Sequence, residues 1–120
     1  MSENIGVMTI FCDIDGCLIQ HSGNMSTQIT SPGGLLPGVK DKFVEWDRSG
    51  YKIVLITGRR EALRTTTEQL LLKSGLFWDM LIMGLPRGPR AVVNDKKPDG
   101  TITTLQYCPD RNKGLEECPF

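Results

Sequence analysis

The sequence predicts an α/β chain whose mostly parallel central sheet lies between helical layers, and two patterns carry that prediction. Val7 to Cys12 (VMTIFC) and Tyr51 to Ile56 (YKIVLI) are apolar runs of strand length, rich in β-branched residues, as strands buried on both faces are. Helical stretches separate these runs, and strands joined through helices pair in parallel. Both runs also end abruptly in polar groups, Asp13-Ile14-Asp15-Gly16 after the first and Thr57-Gly58-Arg59 after the second. In such sheets the carboxyl ends of the strands are where ligands bind.

Size and composition narrow the function classes. A chain of 120 residues and 13.3 kDa is expected to form one domain, residues 1–120, with a core that needs no staples. Fourteen Lys and Arg balance fourteen Asp and Glu, so no global field favours nucleic acid or an anionic membrane as partner. The apolar runs are too short to span a bilayer, and the opening residues MSENIG lack the flank of a secretion signal, so a cytoplasmic protein is expected. Cys12, Cys17, Cys108 and Cys118 match no zinc module and read as reduced thiols. His21 is the only histidine, which argues against a histidine triad or a multi-histidine metal site.

Taken in order, the first strand is followed by a flap over about residues 17–37, rich in Gly, Ser, Thr and Pro, in which STQIT (26–30) has the alternation of a small hairpin. A helix is expected from Pro37 or Gly38 to about Ser49, with Val39, Phe43, Val44 and Trp46 on its apolar side and Gly50 as its stop. The second strand runs into a helix over about residues 59–73, with Leu63, Leu70 and Leu71 as core contacts, closed by Ser74-Gly75. Asp79 to Met83 (DMLIM) reads as a third strand and Arg90 to Val93 (RAVV) as a fourth, ending in Asn94-Asp95. Thr101 to Tyr107 (TITTLQY) has the alternation of an edge strand, and residues 109–120 form a polar tail. Leu85 to Arg90 is too short for a crossover helix, so the third strand is short, or differently oriented, or its link to the fourth is extended.

Three strand ends therefore offer Asp13 and Asp15, then Thr57 with Gly58 and Arg59, then Asn94 and Asp95. Asp13 and Asp15 are two residues apart, which puts both side chains on one side of an extended chain. Like charges that close conflict unless a proton or a cation neutralises one of them. Asp-x-Asp-Gly is also ordinary turn chemistry, and Thr57 suits an N-cap. As a set, however, carboxylates, a hydroxyl at a strand-to-helix junction and nearby basic residues suit a phosphoryl group bound beside magnesium. A carboxylate such as Asp13 needs no activating base to attack phosphorus, and Asp15 could serve as acid and base.

With those residues in view, the chain resembles the haloacid dehalogenase superfamily of phosphohydrolases. The family's first motif, Asp-x-Asp-Gly-x-Leu, corresponds to Asp13-Ile14-Asp15-Gly16-Cys17-Leu18, its second to Thr57-Gly58-Arg59, and its fourth to Asn94-Asp95. The resemblance implies a Rossmann-like, three-layer α/β/α fold and a magnesium-dependent phosphomonoesterase acting on a small phosphorylated metabolite such as a sugar phosphate. It makes Asp13 the nucleophile and a metal ligand, Asp15 the acid/base and a metal ligand through its carbonyl, and Thr57 with Gly58 and Arg59 the phosphate cradle. Asp95, with Asn94, would complete the metal site, one carboxylate short of the commonest pattern. The third-motif cation has four candidates, Arg87, Arg90, Lys96 and Lys97, with Arg87 slightly preferred over Lys96. The spacing between motifs leaves no room for a cap domain, and a capless site is often closed by a homo-oligomer.

Two other classes compete. A receiver-type domain would place a phosphoacceptor Asp at the end of the third strand, where Met83-Gly84-Leu85 offers none. A phosphate-binding module without turnover is favoured only by the Asn94 and third-motif departures.

Overall fold

A computed structural model describes residues 6–22, 24 and 34–120. The flap segment STQIT lies outside the described residues. Three strands, β1 (Thr9–Asp13), β2 (Lys52–Ile56) and β3 (Met80–Ile82), form a parallel sheet in the order β1-β2-β3. Helix α1 (Val39–Arg48) links the first pair, and a 3-10 turn (Glu61–Leu63) with helix α2 (Arg64–Lys73) links the second. The chain is thus an α/β protein built on a parallel sheet. Among the described residues no helix is long and apolar enough to cross a membrane.

Register divides the sheet into two unlike faces. Ile10 aligns with Ile53, and Cys12 with Leu55 and Leu81; all five are buried in one cluster with Val39, Phe43 and Trp46 of α1 and Leu71 of α2. Both helices therefore cover the same face, as successive right-handed crossovers in one direction require. On the other face Phe11 aligns with Val54 and Met80, and Asp13 with Ile56 and Ile82. Phe11 is 58 % exposed there, and Met80 and Ile82 are also open to solvent.

Both helices stop by the same device. Gly50 and Gly75 adopt positive φ, and the following N–H groups of Tyr51 and Leu76 donate back to the carbonyls of Trp46 and Leu71. This left-handed stop turns the chain directly into the next strand after α1 and toward β3 after α2. On α1 the residues that face the core are Val39, Phe43 and Trp46, while Val44 is partly exposed. The second helix starts at Glu61 with a 3-10 turn rather than at Arg59, because residues 57–60 form a separate loop at the sheet edge.

Beyond β3 the observed chain departs from expectation. No strand forms over residues 90–93 or 101–107; the first is exposed, and the second is mostly exposed until Tyr107, which packs against the core. The third strand is short and parallel, its link bends at residues 87–88, and six residues give no crossover long enough to return the chain to the sheet in parallel. The tail, by contrast, is well packed. Leu115 is buried, its N–H donates to the Pro37 carbonyl, Lys42 Nζ donates to the Cys118 carbonyl, and Trp46 Nε1 donates to the Phe120 carbonyl at 3.0 Å.

Candidate active site

The site grows from the way β1 ends. After Asp13 the backbone tightens so that the N–H groups of Cys17, Leu18 and Ile19 all point at the Ile14 carbonyl, at 3.3, 2.9 and 3.2 Å. Ile14, Leu18 and Ile19 plug this loop into the core and are fully buried. Gly16 sits at φ 88°, where a side chain would be strained and would meet Arg111 of the tail. The tail also fastens the loop directly, since Asn112 N–H donates to the Gly16 carbonyl and His21 N–H donates to Asn112 Oδ1. Asp13 and Asp15 are thereby presented on a braced loop.

The two carboxylates meet different surroundings. Arg59 forks onto Asp15, with Nε 2.9 Å from Oδ2 and Nη2 2.8 Å from Oδ1. The guanidinium is almost fully buried, and its Nη1 donates to Thr67 Oγ1 on α2 at 3.2 Å. Among the described residues Asp13 has no such fork. Burial pushes its carboxyl above the usual carboxylate range; the Ile14 backbone N–H, the Arg90 charge and His21 pull it back, and Asp15 adds to the rise. Burial likewise raises the thiol of Cys17, the neighbour of Gly16, to about 11 and pushes that of Cys12 well above its ordinary value, so both stay protonated at neutral pH. All four cysteines are free thiols.

Thr57 follows β2 and is fully buried. Its N–H donates to the Ile82 carbonyl, its carbonyl accepts from Leu85 N–H, and its Oγ1 accepts from Arg59 N–H at 3.0 Å. The hydroxyl therefore shapes the Thr57-Gly58-Arg59 turn rather than capping α2. A side chain on Gly58 would lie 3.4 Å from the Leu85 carbonyl, so the turn runs close beside the chain leaving β3.

Of the residues singled out in the sequence, Asp13, Asp15, Thr57, Gly58 and Arg59 are brought together. Arg59, expected at the phosphate, instead directs its side chain to Asp15 and Thr67. Asn94 and Asp95 stand on the exposed arm, where Asn94 Nδ2 donates to Thr103 Oγ1 and that hydroxyl donates to the Asp95 carbonyl. Lys96 and Lys97 continue this arm, and Arg87 is exposed on the loop before it. Arg90 is the basic candidate whose charge acts on Asp13; its Nη1 is braced by the Pro86 and Gly88 carbonyls, each at 2.8 Å. Sequence reasoning missed Thr67, Arg111 and Asn112. Nothing in a Thr-Thr-Thr run or a polar tail marks such contacts, which depend on segments far apart in the chain.

Among the described residues no three His, Cys, Asp or Glu side chains gather as a metal-binding group. The oxygen donors at the Asp13 loop nonetheless suit magnesium, which is commonly held by one or two carboxylates, waters and substrate phosphate oxygens.

No family model and no curated protein matches the chain. Several solved structures resemble it, two chains of known complexes among them. One is a chain of the Pnkp1/Rnl/Hen1 complex, 26% identical with a TM-score of 0.58 over 74% of this chain and 32% of that one. The other is a chain of the Pnkp1/Rnl/Hen1 RNA repair complex, 27% identical with a TM-score of 0.55 over 69% of this chain and 27% of that one. The protein thus spans about a third or less of each of these two chains.

Proposed function

We propose that this protein is a magnesium-dependent phosphomonoester hydrolase with a Rossmann-like core of the haloacid dehalogenase type, of whose three layers the described residues supply the sheet and one helical layer. The observation that carries the reading is the division of labour between the paired carboxylates: among the described residues Asp13 has no ion pair at the end of β1, while Asp15 beside it is forked by a buried Arg59. In this reading an Asp13 oxygen forms a bond to phosphorus as the bond to the leaving oxygen breaks. Asp15 gives that oxygen a proton, then takes one from the water that releases phosphate from Asp13. Arg59 is a positioning residue, and one of its two bonds must slacken when Asp15 carries the proton. Arg90 supplies positive charge near Asp13, and the Thr57-Gly58-Arg59 turn lies beside the phosphoryl position. Asp13 and the Asp15 carbonyl would hold magnesium, which supplies neutralisation of phosphoryl charge; Asn94 and Asp95 remain apart from this set on the arm.

The substrate proposed first is a small phosphorylated metabolite such as a sugar phosphate. A phosphorylated RNA end is the second reading, favoured by the likeness to chains of an RNA repair complex. Hydrolysis of a generic aryl phosphate, followed by a panel containing sugar phosphates and phosphorylated RNA ends, with and without magnesium, tests both. Magnesium-dependent release of phosphate is expected, with Asp13→Asn inactive; equal turnover by the variant would refute the assignment.

A further inference from the structure

The tail reaches the candidate site as well as the core. A side chain on Gly16 would meet Arg111 Cγ at 3.2 Å and His21 Cβ at 3.8 Å, so the stems of Arg111 and His21 flank one point beside the Asp15-Gly16 peptide. Asn112 pins this arrangement. Its N–H donates to the Gly16 carbonyl at 2.9 Å, and its Oδ1 accepts from the His21 N–H at 2.8 Å. Asn112 holds φ 67°, the one positive φ outside glycine among the described residues. Asparagine visits that left-handed backbone more readily than most residues, and such conformations cluster at ligand sites.

His21 stands within electrostatic reach of Asp13, whose carboxyl it helps to pull down. Arg111 is thus one side chain removed from the candidate nucleophile. It is exposed, and among the described residues it has no ion pair. The other two arginines at the site are committed, since Arg59 forks onto Asp15 and reaches Thr67, and Arg90 is braced by two backbone carbonyls. A planar guanidinium offers five donors in a fork that matches a carboxylate or a phosphate. Beside a site for a phosphate monoester, an unpaired fork is an anchor for a second anion on the same molecule.

We propose that Arg111 is a specificity-determining residue that binds a second anionic group, a carboxylate or a further phosphate, on a phosphomonoester whose phosphoryl group lies at Asp13. The inference rests on the phosphomonoesterase reading and adds a substrate class to it: small, phosphorylated and acid-bearing. A substrate without the second group leaves the fork to water. One charge-assisted contact of this kind is expected to favour the acidic substrate about ten-fold.

Three matched compounds test this on the full chain with magnesium: glycerol phosphorylated at one end, the same molecule with its other end oxidised to a carboxylate (phosphoglycerate), and the same with its other end also phosphorylated (glycerol bisphosphate). The wild-type kcat/KM is expected to favour phosphoglycerate, the bisphosphate or both over glycerol phosphate, and the larger ratio tells which anion the fork takes. Arg111→Met keeps an apolar stem over Gly16 without the fork, and is expected to bring the ratios near one. Each ratio is taken within one variant, so a loss of folded protein does not alter it. Arg111→Lys is expected to keep only part of the preference. Equal kcat/KM for all three compounds in the wild type, or a preference that survives in Arg111→Met, overturns the inference and leaves the phosphatase reading standing. Failure of that reading shows differently, as no phosphate released from any of the three or from an aryl phosphate. The ratio of Kd values for phosphoglycerate and glycerol phosphate, measured by calorimetry on the wild type and Arg111→Met, then decides for or against Arg111.

Discussion

At the scale of single residues, the controlling contact is the fork of Arg59 on Asp15. It joins the loop after β1 to the turn after β2, and through Thr67 to α2. Removing one partner of a buried ion pair leaves the other charge uncompensated, which costs about 3–5 kcal/mol. Arg59→Met should therefore lower the unfolding free energy by roughly 3 kcal/mol, the low end because Asp15 retains some solvent contact. Urea denaturation measures this, and an unchanged midpoint would mean that the fork holds nothing together.

Asp13 makes the opposite prediction. Burial raises its carboxyl, so folding favours the protonated form. Stability from a raised group is fully present below the unfolded carboxylate range and is lost as pH rises through the folded value. At neutral pH Asp13 is therefore kept ionised against its surroundings. In metal-free buffer Asp13→Asn should raise Tm at neutral pH, with the gain shrinking as the pH falls into the acid range. Thermal unfolding across pH checks both the sign and its pH dependence. The chemical types at this site were legible because Asp13, Asp15 and Thr57 are polar groups where apolar strands stop. The partner of Arg59 was not, because a guanidinium beside a candidate phosphate site reads as an anion binder until a nearer carboxylate is seen.

At the scale of elements, the tail is a structural brace rather than a loose end. Leu115 is buried under the start of α1, and Trp46 gives its indole N–H to the Phe120 carbonyl. Leu115→Ala should cost about 2–4 kcal/mol through lost burial and the cavity left behind. Trp46→Phe keeps most of the ring but loses the hydrogen bond, a cost nearer 1 kcal/mol plus repacking. Equal costs in chemical denaturation would contradict this ordering. Strand and helix positions through β3 were legible because periodicity and glycine stops are local signals. The tail was not, since its grip consists of backbone groups meeting Pro37, Lys42 and Trp46. Those groups carry no sequence signature.

At the scale of the whole molecule, the sequence pattern asks for more sheet than one chain forms. Val92 and Val93 have the composition of a buried strand, yet six residues after Met83 do not allow a parallel return to the sheet. Composition reports that a segment favours burial, not which surface buries it. The result is a sheet with helices on one face and, on the other, a buried Val54 flanked by the exposed side chains of Phe11 and Met80. Asp13 stands at the end of that second face, beside the loop that the tail, the core and the Arg59 fork all hold in place.

The most direct measurement is to quench the protein in acid during turnover of an aryl phosphate with magnesium, digest it, and locate any covalent phosphoryl group by mass spectrometry. A phosphoryl group on the peptide containing Asp13, absent from Asp13→Asn, is the predicted result. Turnover that leaves Asp13 unmodified while the label appears on another residue would contradict the assignment.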